Sequence, residues 1–227
     1  MRDEAPEDSV ELFFDHFRIK KRGFISWGIE KSKFAEPETA LDSWHKLVED
    51  IQTGKEKIYV RRFGRSKAKQ KELRHFYEKV LGIKSKTLHE DKTNNYQPYK
   101  RFSEAMGMKK KKDLLNYKVS HIFGKTKNPY AFCAVWNMSY TPVVIDPFTG
   151  HEVKSTVCDD FMKRFQNHAL HRFGKPISEF NRRMCGLRPK INKFIVRLDK
   201  NRQLTEKDKK ELKESIKENF SKIKRLK

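Results

Sequence analysis

The sequence predicts an α+β protein in which helices dominate, and three observations support this class. In most of the chain, large apolar residues recur every three to four positions, which is the spacing of one helix face. Two segments in the middle of the chain carry β-forming residues instead. Glycine and proline stand at many boundaries between segments, where helices begin and end. With 227 residues, of which 36% are hydrophobic, the chain is long enough to bury a sizeable core.

Two helices are predicted in the first quarter of the chain. The first follows Asp8 or Ser9 as its N-cap. Its expected buried stripe consists of Val10, Phe13, Phe14 and Phe17. The second begins at Pro37, because proline suits the first position of a helix, and it stops before Gly54. Its expected buried stripe consists of Leu41, Trp44, Val48 and Ile51.

A strand and two further helices are predicted next. Residues 57–63 form the short strand, and residues 66–81 form a helix that ends at Gly82. Residues 84–96 are polar and irregular, so we expect a linker or a loop that faces nucleic acid. Residues 98–106 form a short helix.

The pattern then changes to strand and turn. Residues 117–123 and 136–145 are predicted strands, because β-forming residues dominate both. A long helix follows Gly150 and closes at Gly174, since apolar residues recur there every four positions. A shorter helix starts at Pro176.

The last helix begins at Thr205, which has the position of an N-cap. These elements divide the chain into three predicted regions. Residues 1–108 form a helical, basic region that contains a short strand and binds DNA. Residues 109–175 hold the two strands and the long helix, and residues 176–227 form a helical C-terminal region.

The charge balance indicates a polyanionic partner. Lys and Arg number 52 against 30 Asp and Glu, a formal net charge of +22. Such an excess repels itself in a compact fold, whereas DNA or RNA neutralises it and releases counterions. A membrane surface is the main rival, but it would require a lipid anchor or an amphipathic helix with a bulky apolar face, and neither is evident. An acidic protein partner is the third possibility.

The chain is expected to be cytoplasmic. Its N-terminus opens with acidic residues, which does not suit a signal or transit peptide, and no apolar run approaches transmembrane length. Cys133, Cys158 and Cys185 form no CxxC pair. We therefore predict neither a structural zinc site nor a disulfide framework, but reduced thiols in the core.

The segment most informative about chemistry lies in the middle of the chain. His121 lies near the end of the predicted strand 117–123, and Asn137 follows sixteen positions later. His151 stands beside acidic groups at a helix start. Hydrolysis of a phosphodiester at neutral pH needs a base that takes a proton from water, and imidazole has a suitable pKa. It also needs a divalent cation, and one or two Asp, Asn, Glu or His side chains can hold a hydrated Mg²⁺.

This strand–loop–strand–helix order, with His, Asn and His in sequence, resembles the HNH or ββα-metal nucleases, and most of all the restriction-type endonucleases among them. The resemblance covers residues 117–174 and implies a small ββα-metal nuclease core within the mostly helical chain. It implies that His121 is the general base that activates water. It also implies that Asn137 ties the connecting loop and so orients that base, and that His151 is a metal ligand.

The chain departs from the family's pattern in two places. Ser120 stands where the family commonly has a metal-binding Asp or His, and the paired cysteines that often brace the motif are missing. We expect Asp146 or Glu152 to supply the replacement ligand. Asp146, Glu152 and Lys154 also fit the pattern D-x5-E-x-K, which resembles the PD-(D/E)xK nucleases and would leave the first histidine and the asparagine without a role.

Clusters of basic residues are expected to contact the phosphate backbone. The candidates for nucleic-acid binding are Arg61, Arg62, Arg65, Lys67, Lys69, Lys109, Lys110, Lys111 and Lys125. In the C-terminal helix, by contrast, lysine alternates with glutamate, which favours a solvated or dimer-packing helix.

The predicted function is hydrolysis of DNA by an endonuclease that depends on Mg²⁺ or another divalent cation, of the type II-like, site-specific restriction kind. A homodimer is the natural expectation, because both strands of the duplex are to be cut. Two alternatives stay open. One is a non-catalytic basic protein that binds RNA or the ribosome, and the other is a toxin-like nuclease that acts on RNA.

Overall fold

A computed structural model gives the fold for residues 7–64, 66–91, 93, 95–109, 111–149 and 155–226. The described chain is α+β and mostly helical, as predicted. Its helices are α1 Ser9–His16, α2 Lys21–Lys31, α3 Pro37–Thr53, α4 Lys67–Leu81, α5 Tyr96–Met106, α6 Pro129–Phe132, α7 Thr156–Arg172, α8 Gly174–Asp199 and α9 Glu206–Asn219. Its strands are β1 Ile58–Arg61, β2 Leu88–Asp91, β3 Tyr117–His121 and β4 Met138–Pro142.

The first helix begins where the sequence predicts, but its apolar stripe is only partly buried. The Asp8 carboxylate accepts a hydrogen bond from the Val10 N–H at 2.9 Å and caps α1. Phe14 is buried, whereas Phe13 and Phe17 are 49% and 61% exposed, so the expected four-residue stripe was wrong for these two. The helix α2 was not predicted, because residues 21–31 show no clear apolar periodicity.

The helices α3 and α4 confirm the predictions for their segments. Trp44 and Ile51 of α3 are buried, and Gly54 ends the helix in the left-handed conformation with φ 63°. In α4 the four residues expected to face inward are all buried: Leu73, Phe76, Tyr77 and Val80. Gly82 closes α4 with φ 71°.

Residues 84–96 are not the irregular linker that their polarity suggested. They contain β2, which runs parallel to β1 with Ile58 opposite Leu88 and Arg61 opposite Asp91. A four-residue polar strand has too little alternation to be recognised, and its pairing with β1 decides its conformation. Asp91 then accepts a hydrogen bond from the Gln97 N–H at 2.6 Å, in the first turn of α5.

The two strands predicted at 117–123 and 136–145 are present as β3 and β4, each shorter than predicted. β3 and β4 are antiparallel, with Tyr117 opposite Pro142 and His121 opposite Met138. All five residues of β4 are buried. The order β3, β4, α7 is the strand–strand–helix order that the sequence predicts.

The C-terminal region differs from expectation in two ways. Gly174 does not close the preceding helix but begins α8, which has 26 residues and continues past Pro189. The last helix, α9, was expected to be solvated or to pack in a dimer, and instead it packs within the chain. Phe220, which follows α9, lies 4.8 Å from Phe76 of α4 between ring centroids.

One hydrophobic cluster contains buried residues from all three predicted regions, for example Trp44, Phe161 and Leu212. Two of the cysteines are buried as expected, but Cys185 is exposed. Among the described residues, no helix combines the length and the apolar character that crossing a membrane requires.

Candidate active site

Residues 122–137, which connect β3 to β4, form the centre of the candidate site and are called the site loop below. The loop leaves β3 after His121 and turns sharply at Gly124 and Lys125, whose φ values of 62° and 52° are both left-handed. Such a conformation is strained for a lysine, so the surrounding contacts must hold it. The loop then forms α6 and returns to the sheet at Asn137.

Asn137 ties the site loop together from inside. Its side chain is fully buried. Its Oδ1 accepts a hydrogen bond from the Phe123 N–H at 2.9 Å, and its Nδ2 donates to the carbonyl oxygens of Gly124 at 2.9 Å and Ala131 at 3.0 Å. One side-chain amide at the end of the loop therefore bonds the start of the loop and Ala131 of α6.

The His121 ring contacts the site loop at Phe132, the last residue of α6. Its Nε2 lies 2.9 Å from the carbonyl oxygen of Phe132, and its ring stacks on the Phe132 ring with centroids 5.6 Å apart and planes 9° apart. A carbonyl oxygen only accepts, so Nε2 carries the proton. The lone pair is then on Nδ1, which no described residue bonds.

The imidazole of His121 is neutral at physiological pH. Burial lowers its pKa from the ordinary 6.5 to about 4, and the charge of the nearby Arg61 guanidinium acts in the same direction. The Phe132 carbonyl opposes this shift, because it favours the protonated ring. A neutral ring with an available lone pair is the form that can accept a proton.

Other elements hold the outside of the site loop. Gln166 of α7 donates its side-chain N–H to the carbonyl oxygen of Ile122 at 2.9 Å. Tyr77 of α4 donates its hydroxyl to the carbonyl oxygen of Lys127 at 2.6 Å. Both contacts bond buried or part-buried backbone that a loop would otherwise leave unsatisfied. Neither of these two contacts was predicted from the sequence.

Asp146 lies close to β3, in a short 3-10 turn that follows β4. One carboxylate oxygen accepts from the Ser120 hydroxyl at 3.0 Å, and the other accepts from the Lys118 ammonium at 2.6 Å. Ser120 and Lys118 are two positions apart, so they project from one face of β3, and His121 projects from the other. The structure thus brings the Asp146 carboxylate into contact with Ser120 and Lys118 of β3.

The remaining predicted metal ligands lie outside the described residues. They are His151 and Glu152, and the same holds for Lys154 of the alternative nuclease pattern. Within the described ranges, no three His, Cys, Asp or Glu side chains are grouped as a metal ion would require. Of the predicted metal ligands, Asp146 is the one that the structure describes. Its oxygens are of the type that Mg²⁺ prefers, and a hydrated Mg²⁺ needs only one or two protein ligands.

The predicted nucleic-acid-binding residues differ in how far the fold engages them. Arg62, Lys67, Lys109 and Lys111 are exposed, although Arg62 also pairs with Glu90 at 3.6 Å, and Arg61 is half-buried at the end of β1. Arg65 and Lys110 lie outside the described residues.

Lys69 and Lys125 are engaged within the fold. The Lys69 ammonium pairs with Asp208 at 3.1 Å and with Glu211, and its side chain is 14% exposed. The Lys125 ammonium donates to the carbonyl oxygen of Glu218 at 2.8 Å, and burial lowers its pKa to about 8. We therefore leave both out of the proposed phosphate-binding surface.

Two buried asparagines escaped the sequence analysis. Asn128 is fully buried and caps α6, because its Oδ1 accepts from the Tyr130 N–H at 3.0 Å. Its position before Pro129 is a recognisable N-cap signal. Asn219, at the end of α9, is 7% exposed and bonds the site loop, and no feature of the sequence indicates this contact.

Comparison with known proteins shows similarity to one family. The family described as "Uncharacterised protein PM1201" matches residues 35–225, which include the whole site loop. A protein of Pasteurella multocida (strain Pm70), described as "Uncharacterized protein PM1201", is 36% identical over 192 residues, which cover 84% of this chain and 86% of that protein. Neither description names an activity. No solved structure matches the chain.

Proposed function

We propose that this chain, which belongs to the family described as "Uncharacterised protein PM1201", is a metal-dependent endonuclease that hydrolyses phosphodiester bonds of DNA. The observation that carries the proposal is the state of His121. Its ring is neutral, its Nε2–H is bonded to Phe132, and no described residue bonds its Nδ1. This is the arrangement of a positioned general base.

The chemical role of His121 follows from its surroundings. The Nδ1 lone pair would take a proton from the attacking water, while the bond from Nε2 to Phe132 keeps the ring in place. A pKa of about 4 makes a weak base in the free protein. A phosphodiester bound beside the ring brings negative charge, which raises the pKa of the imidazole toward the working pH.

Asn137 would act on the reaction through the loop. Its side chain hydrogen-bonds backbone atoms of residues 123, 124 and 131, so its contribution is to fix the loop that carries the Phe132 carbonyl. A displacement of the base by about 1 Å is enough to slow an enzyme by about 100-fold. The buried amide therefore supports catalysis without contacting substrate.

A divalent cation would neutralise the negative charge that develops on the phosphate. Asp146 is the described residue that would hold it, and His151 or Glu152 would add a ligand from the segment outside the described residues. Lys118 pairs with the same Asp146 carboxylate, so its ammonium would have to give up this ion pair for the carboxylate to hold the cation.

The substrate proposed is double-stranded DNA cut at specific sites, as in type II-like restriction enzymes. The excess of basic residues supports a nucleic-acid substrate, and exposed Arg62, Lys67, Lys109 and Lys111 supply phosphate contacts. Cleavage of both strands requires two active sites or two successive nicks, so we propose a homodimer. Light scattering coupled to size exclusion measures that state directly.

The test uses supercoiled plasmid with wild type, His121→Gln and His45→Ala, each with Mg²⁺ and with a chelator. Glutamine can still donate an N–H to the Phe132 carbonyl but cannot accept the proton, so His121→Gln separates the base from the hydrogen bond. His45 lies on α3, and its Nε2 contacts the Glu179 carboxylate of α8 at 3.2 Å rather than a group of the site loop. We expect discrete Mg²⁺-dependent fragments from wild type and His45→Ala, and none from a His121→Gln protein that still shifts DNA.

The second candidate is a non-catalytic basic protein that binds nucleic acid. One observation favours it: the Lys118 ammonium neutralises the Asp146 carboxylate, the proposed metal ligand. Tight, salt-sensitive binding with no cleavage of DNA or RNA across several divalent metals would establish this candidate and exclude the nuclease. Cleavage of RNA alone would instead identify the toxin-like nuclease.

A further inference from the structure

We propose that Asn219, at the C-terminal end of α9, is a positioning residue for His121. The catalytic part of this inference rests on the proposed nuclease function. The structural part is independent of that function. It states that the end of α9 holds the site loop, and that the site loop holds the His121 ring.

Asn219 makes hydrogen bonds both to the site loop and to its own helix. Its Oδ1 accepts from the backbone N–H of Lys127 at 2.8 Å, and its own carbonyl oxygen accepts from the side-chain amide of Asn128 at 3.0 Å. Its Nδ2 donates to the carbonyl oxygen of Ser215 at 2.9 Å, one turn earlier in α9. This last bond fixes the orientation of the amide, so that the oxygen faces the site loop.

Lys125 adds a second connection between the same two segments. Its ammonium donates to the carbonyl oxygen of Glu218 and to the Ser221 hydroxyl, both at 2.8 Å. The last carbonyls of a helix lack partners within the helix and attract a positive charge. The end of α9 is thus bonded to three successive parts of the site loop, at Lys125, Lys127 and Asn128.

The contact reaches His121 through α6. Asn128 caps this helix, because its Oδ1 accepts from the Tyr130 N–H. Phe132 is the last residue of α6, and its carbonyl oxygen accepts the Nε2–H of His121 at 2.9 Å. A displacement of Asn128 moves the start of a helix of only four residues, and the Phe132 carbonyl at its other end moves with it.

The helix α9 is itself held by packing in the core, so its bonds to the site loop fix the position of that loop. Leu212 and Ile216 are buried, and Phe220 packs against Phe76. The Lys69 ammonium of α4 pairs with Asp208 and Glu211 in the first half of α9. The position of the Phe132 carbonyl is therefore set by packing between α4 and α9, far along the chain from His121.

The experiment compares Asn219→Ala with Asn181→Ala as a matched control. Asn181 of α8 also anchors the C-terminal segment, since it donates to the Ile223 carbonyl at 2.9 Å and accepts from the Ile223 N–H at 2.8 Å. It makes no bond to the site loop. Three quantities are measured for each variant: the single-turnover rate of plasmid cleavage at saturating protein, the Kd for DNA, and the ¹⁵N NMR signal of the His121 ring.

We expect Asn219→Ala to cleave about 10- to 100-fold more slowly, with the Kd within about 2-fold of wild type, because the base is misplaced and the binding surface is intact. Asn181→Ala should cleave within about 2-fold of wild type, since it leaves the path through α6 in place. Asn219→Asp keeps the acceptor for the Lys127 N–H, so it should recover part of the rate. The His121 Nε2–H signal should shift or broaden in Asn219→Ala alone.

The two failures are distinguishable. If Asn219→Ala and Asn181→Ala slow cleavage equally, the effect is loss of general stability and the positioning role is wrong. If wild type cleaves nothing, the nuclease proposal is wrong, and the NMR signal still decides the structural part. An unchanged His121 signal in folded Asn219→Ala would overturn the coupling, and a shift confined to this variant would support it.

Discussion

His121 donates its Nε2–H to the carbonyl oxygen of Phe132 across 2.9 Å, and the two rings lie almost parallel. The histidine ends β3 and the phenylalanine ends α6, so one hydrogen bond joins the strand to the loop that follows it. It also selects the tautomer, since a carbonyl accepts only from a protonated nitrogen. The contact therefore leaves the lone pair on Nδ1, whereas the neutrality of the ring comes from burial, which lowers its pKa against the opposing effect of the Phe132 carbonyl.

The first prediction concerns pH and stability. The folded-state pKa of His121 is about 4, below the ordinary 6.5, so the unfolded chain holds more protons between these values. The free energy of unfolding should therefore fall as the pH decreases from 6.5 to 4, with at most about 1.4 kcal/mol per pH unit from this one group. Burial lowers the pKa of His168 as well, which acts with the same sign.

The contribution of His121 is isolated by comparing wild type with His121→Gln in urea unfolding at several pH values. The variant cannot titrate in this window, so its stability should depend less steeply on pH. Equal slopes for the two proteins would show that the ring is not held neutral in the folded state.

A second prediction concerns the amide inside the site loop. Asn137→Ala should destabilise the fold by about 3 kcal/mol, because it leaves one buried N–H and two carbonyl oxygens without their partner. Asn201→Ala removes an asparagine from an exposed turn and should cost less than about 1 kcal/mol. Urea unfolding of both variants measures the difference, and a similar loss for the two would contradict the role given to Asn137.

Two lysines of α4 are predicted to differ in function. Lys67 is exposed, so Lys67→Ala should lower DNA affinity and reduce the slope of log K against log salt by about 0.9 if it contacts one phosphate. Lys69 is engaged by Asp208 and Glu211, so Lys69→Ala should leave that slope unchanged. Fluorescence anisotropy across a salt series measures both variants, and equal slopes for them would contradict the assignment.

A pair of glycines in α2 should respond to alanine with opposite signs. A Cβ at Gly28 would lie 2.7 Å from Cδ1 and 2.9 Å from Cγ1 of Ile145, so Gly28→Ala should destabilise the fold by about 1–2 kcal/mol. At Gly23 the nearest contact is an ordinary 3.9 Å, and alanine there should stabilise the helix by about 0.5–1 kcal/mol. Thermal unfolding of the two variants distinguishes them, and a stabilising Gly28→Ala would show that α2 does not approach Ile145 so closely.

The elements with strong local signals were predictable from the sequence. The helix α3 has proline at its start, glycine at its end and a regular apolar stripe between them, and α4 is equally well marked. The strands β3 and β4 are rich in β-forming residues. Their order before α7, with His121 and Asn137 at the two ends of the intervening loop, is also readable, because spacing along the chain sets it.

Other features depend on residues that are distant in sequence. The strand β2 has no alternation of its own and exists because β1 lies beside it. Phe13 and Phe17 have helical spacing but remain exposed, since only neighbouring elements decide which face of α1 is covered. The alternating charges of α9 suggested a solvated helix, yet its apolar residues meet α4 and α8.

The composition and the local patterns of this chain determined its α+β class, its positive charge and the place of its histidine–asparagine loop. Only the tertiary structure decided which cations are engaged, that Asp146 meets Ser120, and that Asn219 holds the site loop. The physical reason is that a helix or turn is stabilised by residues a few positions apart, whereas these contacts join residues up to 142 positions apart, as Lys69 and Glu211 are. Their partners are chosen by packing of the whole core, which no short stretch of sequence encodes.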